Sequence, residues 1–542
     1  MKKLLTSLLV LSAAFTLAGC NGGSGSGTGG QPTGGTKNPT QTQGGSTEKL
    51  FDISTLKDDI VLDEEGKPLF EEEVRLSVWS VIGDPDQVVF RKMVDKFNDE
   101  YLGQIYLDVT YVGHFDYYNA LDSTYQTDFE ESFPDVCFMH NEKTIEYAYK
   151  EYFYPLDELY AKTGVEFDFT QAYDNIARTT IYRDHRFGIP VDAHGFITQF
   201  RQDIIKKNGL GFDNNTRFIP ESRAEYQQLL EALRAKADAG ELLIRNINKG
   251  SDHSWVKSNK DLFYPSFTQS TDPDGLSSLY VNGGTLSNEA QDTVTFQNNA
   301  GFQTYLTDQV SRYNSKLVGT SGTNTEMFGA GNCVMFAEGP WWVSQTYSLN
   351  WNNNELKKAG EKGVSEEDAT DPVYNTPYVA SRPLGWWTTD ENATSINANK
   401  WYGNGHVVTL TRHIESMQKA AAALTFAKWY TQSVDENGDF NLVTWCASGH
   451  VPAWKNVYES EKYNNVLKTN ITLQALGDPA DIMALEGLEY ASTLISGLAS
   501  ACSNVIAEYS KAGGCKPEDV AGVLKRAADD TQATLDLLKM GF

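Results

Sequence analysis

Cysteine and histidine are scarce in this chain, with 6 and 8 among 542 residues. None falls in a C-x-x-C or H-E-x-x-H spacing, which argues against a zinc ribbon, a thioredoxin-like redox centre or a zincin protease. The glycine-rich stretch 319–331 lacks a G-K-[ST] ending, and no G-x-S-x-G occurs. A P-loop nucleotide site and a nucleophile elbow are therefore not expected. Basic residues are the minority, 45 against 72 acidic, for a net charge of −27. Such a surface repels nucleic acid phosphates, so no nucleic acid partner is expected. After residue 20 no apolar run is long enough for a transmembrane helix.

What is present begins at the N-terminus. Met1-Lys2-Lys3 is a short positive start, Leu4 to Leu17 is an apolar run, and Leu17-Ala18-Gly19-Cys20 follows. This resembles a bacterial lipoprotein signal, with residues 1–19 removed and lipid carried on Cys20. Residues 21–48 are mostly Gly, Ser, Thr, Gln, Asn and Pro, without a large apolar side chain. Such a segment buries no core and acts as a leash with a reach of roughly 30 Å. A domain so tethered works at the extracellular face of the cytoplasmic membrane.

Residues 49–70 read as an acidic lead-in. The fold starts at Val74–Trp79, an alternating strand. Asp84 is then a candidate helix cap with Pro85 in the first turn. Phe90, Met93, Val94 and Phe97 form one apolar stripe of that helix. Leu107–Val112 is a second strand, and a polar helix is expected over 117–129. Pro134–Met139 is a third strand, apolar on both faces. Strands and helices alternating at this spacing predict an α/β fold with a mainly parallel sheet. Further strands are expected at Phe187–Val191, Ile197–Phe200, Cys333–Phe336 and Gly405–Leu410, and helices at Tyr226–Ala239 and Met417–Gln432. A C-terminal helix carries Val520, Leu524, Ala527, Ala528, Leu535 and Leu538 on one stripe.

Several pieces in order resemble a known family. They are Gly83-Asp84-Pro85-Asp86, Phe133-Pro134-Asp135-Val136, Tyr154-Pro155-Leu156-Asp157-Glu158-Leu159 and Phe187-Gly188-Ile189-Pro190-Val191-Asp192. Phe200 to Leu210, Met335 to Trp342, Ala420 to Tyr430 and Gly449-His450-Val451-Pro452-Ala453-Trp454 complete the set. Behind a lipobox and tether, they resemble the extracellular solute-binding lipoproteins of carbohydrate ABC transporters, the maltose-binding-protein-like family 1. The similarity covers about residues 72 to 540. It implies a two-lobed, periplasmic-binding-protein-like fold, with a ligand cleft between lobes joined by hinge strands. It also implies a monomer that delivers a carbohydrate, most simply an oligosaccharide, to membrane permease subunits, with no catalysis and no cofactor. Crossings near Val191, Tyr402 and Tyr458 place lobe one at 71–191 with 403–457, and lobe two at 194–400 with 458–542. Trp255 to Gly331 and Trp351 to Asn399 look like insertions relative to a compact member.

A sugar offers a C–H face that suits aromatic rings, and hydroxyls that suit carboxylates, amides and imidazoles. Candidates near strand ends are Trp79, His114 and His140-Asn141-Glu142. Trp341, behind the Gly339-Pro340 turn, stands where the resemblance implies a stacking ring. Asp192 and His194 flank a lobe crossing, where holding the hinge is their other reading. Trp387, Trp401 and Trp445 are candidates in loop-like settings, whereas Trp429 lies in an apolar helix and reads as core. Asp192-Ala193-His194 offers two metal ligands, but with the histidines scattered no metal is expected. Cys137 and Cys333 read as buried thiols, and a Cys502–Cys515 pair is left open. Two rival readings remain. One is a lipoprotein glycosidase, with Asp192 and Glu338 as its nominated carboxylates. The other is a receptor for peptides or another small solute.

Overall fold

The computed structural model describes residues 52–113, 116–126, 132–248, 251–267, 272–319, 324–340, 370–382, 401–483, 487–510 and 515–541. Val74–Ser80 (β1), Ile105–Tyr111 (β2) and Val136–His140 (β3) form a parallel block with β1 in the middle. Ile189–Pro190 (β4) and Asp192–Ala193 (β5) lead out of it, and Ile197–Phe200 (β6) opens a second sheet. Tyr264–Phe267 (β7), Val318–Gly319 (β8), Cys333–Glu338 (β9) and Val379–Ser381 (β10) complete that sheet in the order β8–β7–β9–β6–β10. His406–Leu410 (β11) returns to the first sheet, giving β2–β1–β3–β11–β4. Val451–Pro452 (β12) pairs antiparallel with β5.

Each sheet is thus mixed rather than mainly parallel. In the first, β11 runs antiparallel to β3 and β4; in the second, β6 runs antiparallel to β9 and β10. The reason lies in the connectivity. Neither β6 nor β11 is fed by a local strand–helix–strand crossover, because both strands arrive from the other lobe.

The two largest cores among the described residues follow the two five-stranded sheets. The first packs β1, β3 and β11 against Gln87–Glu100 (α1) and Met417–Thr431 (α3), with Thr144–Tyr149 (α2) at its edge. The stripe Phe90, Met93, Val94 and Phe97 is buried as its 3.6-residue spacing requires. Helix α1 begins at Gln87, however, without a side-chain cap. The Gln87, Val88 and Val89 amides bond back to the carbonyls of Gly83, Pro85 and Asp86, so the turn itself satisfies them and Asp84 stays exposed. Helix α3 buries Ala420–Ala423, Phe426 and Ala427, because it lies between the sheet and the helix Asp157–Thr163. The lead-in joins this core through Ile53 and Leu56.

The second core holds Leu229, Leu230, Phe302, Leu306 and the helices Ala491–Ser510 (α5) and Val520–Lys539 (α6). Cys502 and Cys515 are buried in it. On α6 the stripe is buried except Leu538, which lies in the exposed last turn. The stretch from Trp255 to Gly331, read above as an insertion, supplies β7 and β8 and the helix Ala300–Asn314 of this lobe, so it is part of its framework. Tyr463, Leu473 and Leu476 belong to the first core, while the helix Ile471–Leu476, which carries the last two, also lies against β6 and β10. Among the described residues no helix is long and apolar enough to cross a membrane.

Candidate functional site at the lobe crossing

Two segments of the crossing lie side by side. His194 and Asn404 exchange backbone hydrogen bonds of 2.9 and 2.8 Å. Here glycine is needed because the backbones touch. A Cβ at Gly405 would stand 2.2 Å from the Asp192 carbonyl oxygen, and one at Gly403 would stand 2.4 Å from Ile482. Trp401–Tyr402 and Ile482–Met483 pair in parallel beside them, which brings in a third connection.

Strand register then gathers the imidazoles. β11 pairs His406 with His140. The β5–β12 ladder pairs Ala193 with Val451, so the next step along it brings His450 towards His194, and their rings lie 5.2 Å apart. The His194 and His406 rings are 4.7 Å apart. Asp192 sits in the middle, fully buried. Its Oδ2 is 2.9 Å from His406 Nδ1, and its Oδ1 is 3.3 Å from His194 Nδ1. The His406 backbone N–H donates to Oδ1 at 3.1 Å, and Trp445 Nε1–H donates to Oδ2. Ligand atoms of Asp192, His194, His406 and His450 all lie within 4.8 Å of one another. At the margin, Asp86 Oδ2 is 3.7 Å from His450 Nε2, and His140 Nδ1 is 3.1 Å from the Tyr118 hydroxyl.

The electrostatics follow from burial and these neighbours. Burial alone would raise the Asp192 carboxyl, but His406, His450 and the hydrogen bonds from His194 and His406 hold it well below the usual range. Burial pushes the His450 imidazole well down, against the opposing pull of Asp192. Burial, aided by the Asp192 charge, lifts Asp86 to about 7, against the opposing pull of His406 and Ser448.

Trp79 is half-buried, one residue from the end of β1, on the face opposite Val78 and Ser80. His140 closes β3; Asn141 and Glu142 follow it in a single helical turn. Asn141 is buried, and its Nδ2 has no hydrogen-bond partner among the described residues. Gln199 on β6, wholly buried, likewise has neither amide atom partnered among them. Asp192 and His194 lie inside the buried knot. Trp445 stands in the helix Leu442–Cys446 (α4), not in a loop, and is fully buried. It stacks on His450 at 4.5 Å and 20° and packs edge-on against Phe90 and Phe138. That makes it a core residue, and the cleft reading of Trp445 is corrected accordingly. Trp429 is also core. His114, Trp341 and Trp387 lie outside the described residues, as does the side chain of Trp401.

Sequence reading missed His406, His450 and Asp86. They are far apart along the chain, and only Asp192-Ala193-His194 gives a local signal.

A second contact joins the lobes beyond the crossing. Glu146 of α2 accepts from Ser492 N and Oγ, both at 2.7 Å, at the start of α5. Lys143 donates to Ser492 Oγ at 2.9 Å, Tyr182 donates to Glu489 at 2.6 Å, and the Tyr149 and Tyr490 hydroxyls are 3.1 Å apart. Burial alone would raise Glu146, but Lys150, Lys143 and Ser492 outweigh it and hold the carboxyl down. A depressed acid contributes stability above its unfolded value, about 4.3, and loses it as pH falls through the folded value. Melting curves from pH 7 to pH 3 are therefore expected to show a loss below about pH 4 that Glu146→Gln reduces. An unchanged acid limb in the variant would remove Glu146 from the contact's energetics.

No protein-family model and no curated protein sequence matches the chain. Solved structures do match in fold. The GacH receptor of Streptomyces glaucescens, solved unliganded and with acarbose, aligns at TM-score 0.60 and 14% identity over 86% of this chain and 99% of that one. An ABC substrate-binding protein of Listeria monocytogenes, solved with cycloalternan, aligns at 0.57 and 15% over 87% and 100%. UgpB of Mycobacterium tuberculosis, solved with glycerophosphocholine, aligns at 0.57 and 14% over 86% and 99%. With two five-stranded sheets, a large core on each and connections paired side by side between them, this chain has the two-lobed α/β fold of ABC solute-binding proteins.

Proposed function

We propose that this protein is the substrate-binding component of an ABC importer. It takes a carbohydrate between its lobes and presents it to permease subunits, acting as a monomer held to the outer face of the membrane by lipid on Cys20. The observation that carries the reading is the fold shared with binding proteins solved with acarbose and cycloalternan. It is supported by the aromatic content of 12%, with 11 Trp. The buried amides of Asn141 and Gln199 also favour a ligand with hydroxyls to pair. Lobe motion would be carried by the connections at 191–194, 402–405 and 477–483. The helix Ile471–Leu476, which touches elements of both lobes, would be their pivot.

Titration calorimetry of the pure protein with oligosaccharides, followed by chromatography of the mixture, tests this. Saturable binding with the sugar recovered intact is the expected result. Sugar cleavage would make the protein a glycosidase. Binding of peptides or glycerophosphocholine alone would overturn the sugar reading. Trp341, directly after the buried strand end Glu338 and the Gly339-Pro340 turn, is the proposed stacking ring. Burying a sugar face on an indole contributes about 1–3 kcal/mol. Trp341→Ala is therefore expected to weaken binding roughly tenfold to a hundredfold, with a small change in melting temperature. The opposite pattern, a large melting drop at unchanged affinity, would place Trp341 in the core. Cys20→Ala should move the protein from the membrane fraction to the medium, and retention in the membrane would disprove the lipid anchor.

A further inference from the structure

We propose that Asp192, His194, His406 and His450 form a binding site for one divalent transition-metal ion of the zinc class, set at the crossing between the lobes. The inference does not rest on the sugar reading, because it concerns the hinge and not the ligand. Three imidazoles and one carboxylate are a donor set that zinc takes readily. In a tetrahedral zinc site with bonds of about 2.0–2.2 Å, neighbouring ligand atoms are roughly 3.3–3.5 Å apart. Asp192 already lies 2.9 Å from His406 Nδ1 and 3.3 Å from His194 Nδ1. The widest spread in the set is within 4.8 Å, so side-chain rotations of about an ångström close the shell.

The surroundings are those of a built site. Three of the four ligands are more than nine-tenths buried by wide margins, and His194 is 7% exposed. Trp445 Nε1–H and the His406 backbone N–H orient the Asp192 carboxylate. Ser448 Oγ is 3.3 Å from His450 Nδ1. Partners of this kind fix the rotamers of metal-binding histidines. The charges also call for a cation. Asp192 is wholly buried among three imidazoles, with Asp86 partly buried at their margin, and no Lys or Arg is paired with either acid among the described ion pairs. A divalent ion supplies the missing positive charge.

The ligands come from three separate stretches: Asp192 and His194 on the outgoing crossing, His406 on the returning strand, and His450 ahead of β12. One ion would therefore tie these stretches together and stiffen the hinge.

The experiment uses the purified full chain, stripped with a chelator and titrated with zinc chloride, with bound metal counted by mass spectrometry. One zinc per chain, at submicromolar affinity, is expected. Cobalt in its place should give the intense visible absorption of tetrahedral coordination. His450→Ala and His406→Ala should each weaken zinc binding by about a hundredfold or more, whereas His185→Ala and His413→Ala, both outside the knot, should not change it. If the alanine variants fold poorly, the wild-type cobalt spectrum and a zinc-induced rise in melting temperature decide instead. Absence of stoichiometric zinc, an octahedral cobalt spectrum, or binding that survives in folded His450→Ala would each overturn the proposal.

Discussion

Asp203→Ala is expected to destabilise the second lobe by about 3–5 kcal/mol, the cost of removing one partner from a buried ion pair. Asp203, Arg201 and Arg245 are all wholly buried. Arg201 Nε and Nη2 each donate to the Asp203 carboxylate at 2.9 Å, and Arg245 Nε donates at 2.7 Å. Other donors reach backbone: Arg201 Nη1 to the Phe328 carbonyl at 2.6 Å, and Arg245 Nη2 to that of Tyr374 at 2.7 Å. Removing the carboxylate leaves two buried guanidiniums facing each other. Burial would raise the Asp203 carboxyl, but the two arginines hold it down, so it is charged at neutral pH. At roughly 2–4 °C per kcal/mol for a lobe of this size, the melting transition should fall by about 10 °C. Calorimetry of the variant checks this, and a shift under about 2 °C would show that the arginines find other partners.

Trp445→Ala is the second large effect, about 3–5 kcal/mol, in the range for burying and then deleting an aromatic side chain. The indole fills the space between Phe90, Phe138 and Tyr430, and its N–H holds Asp192. Trp445→Phe should recover most of the packing but not the hydrogen bond, costing about 1–3 kcal/mol for the lost donor. Both variants should keep their sugar affinity at temperatures where they are folded. A variant with wild-type melting behaviour and weakened sugar binding would return Trp445 to the cleft.

These two sites show different limits of sequence reading. Trp445 sits among Asn441, Leu442, Val443 and Cys446, too short a helical segment for a periodic stripe, so its burial was not visible. In α1 the stripe Phe90, Met93, Val94 and Phe97 was long enough to name its buried face. The Arg201–Asp203 pair was two residues apart in sequence, but its third member, Arg245, joins only through the packing of the second lobe. The stretch 255–331 looked appended because its strands are short, and only pairing with β9 made them part of a sheet.

By itself the sequence determined the local elements, since hydrophobic spacing of 2 and 3.6 residues is set by backbone geometry and needs no partner. It also determined the acidic surface and the weakness of any local metal motif, which are matters of composition and spacing. Only the tertiary structure decided which strands run antiparallel, because direction depends on which lobe the chain returns from. It alone brought His194, His406 and His450 around Asp192. Those contacts are made by the registers β4–β11 and β5–β12, between segments more than 200 residues apart, and no local pattern encodes a register of that kind.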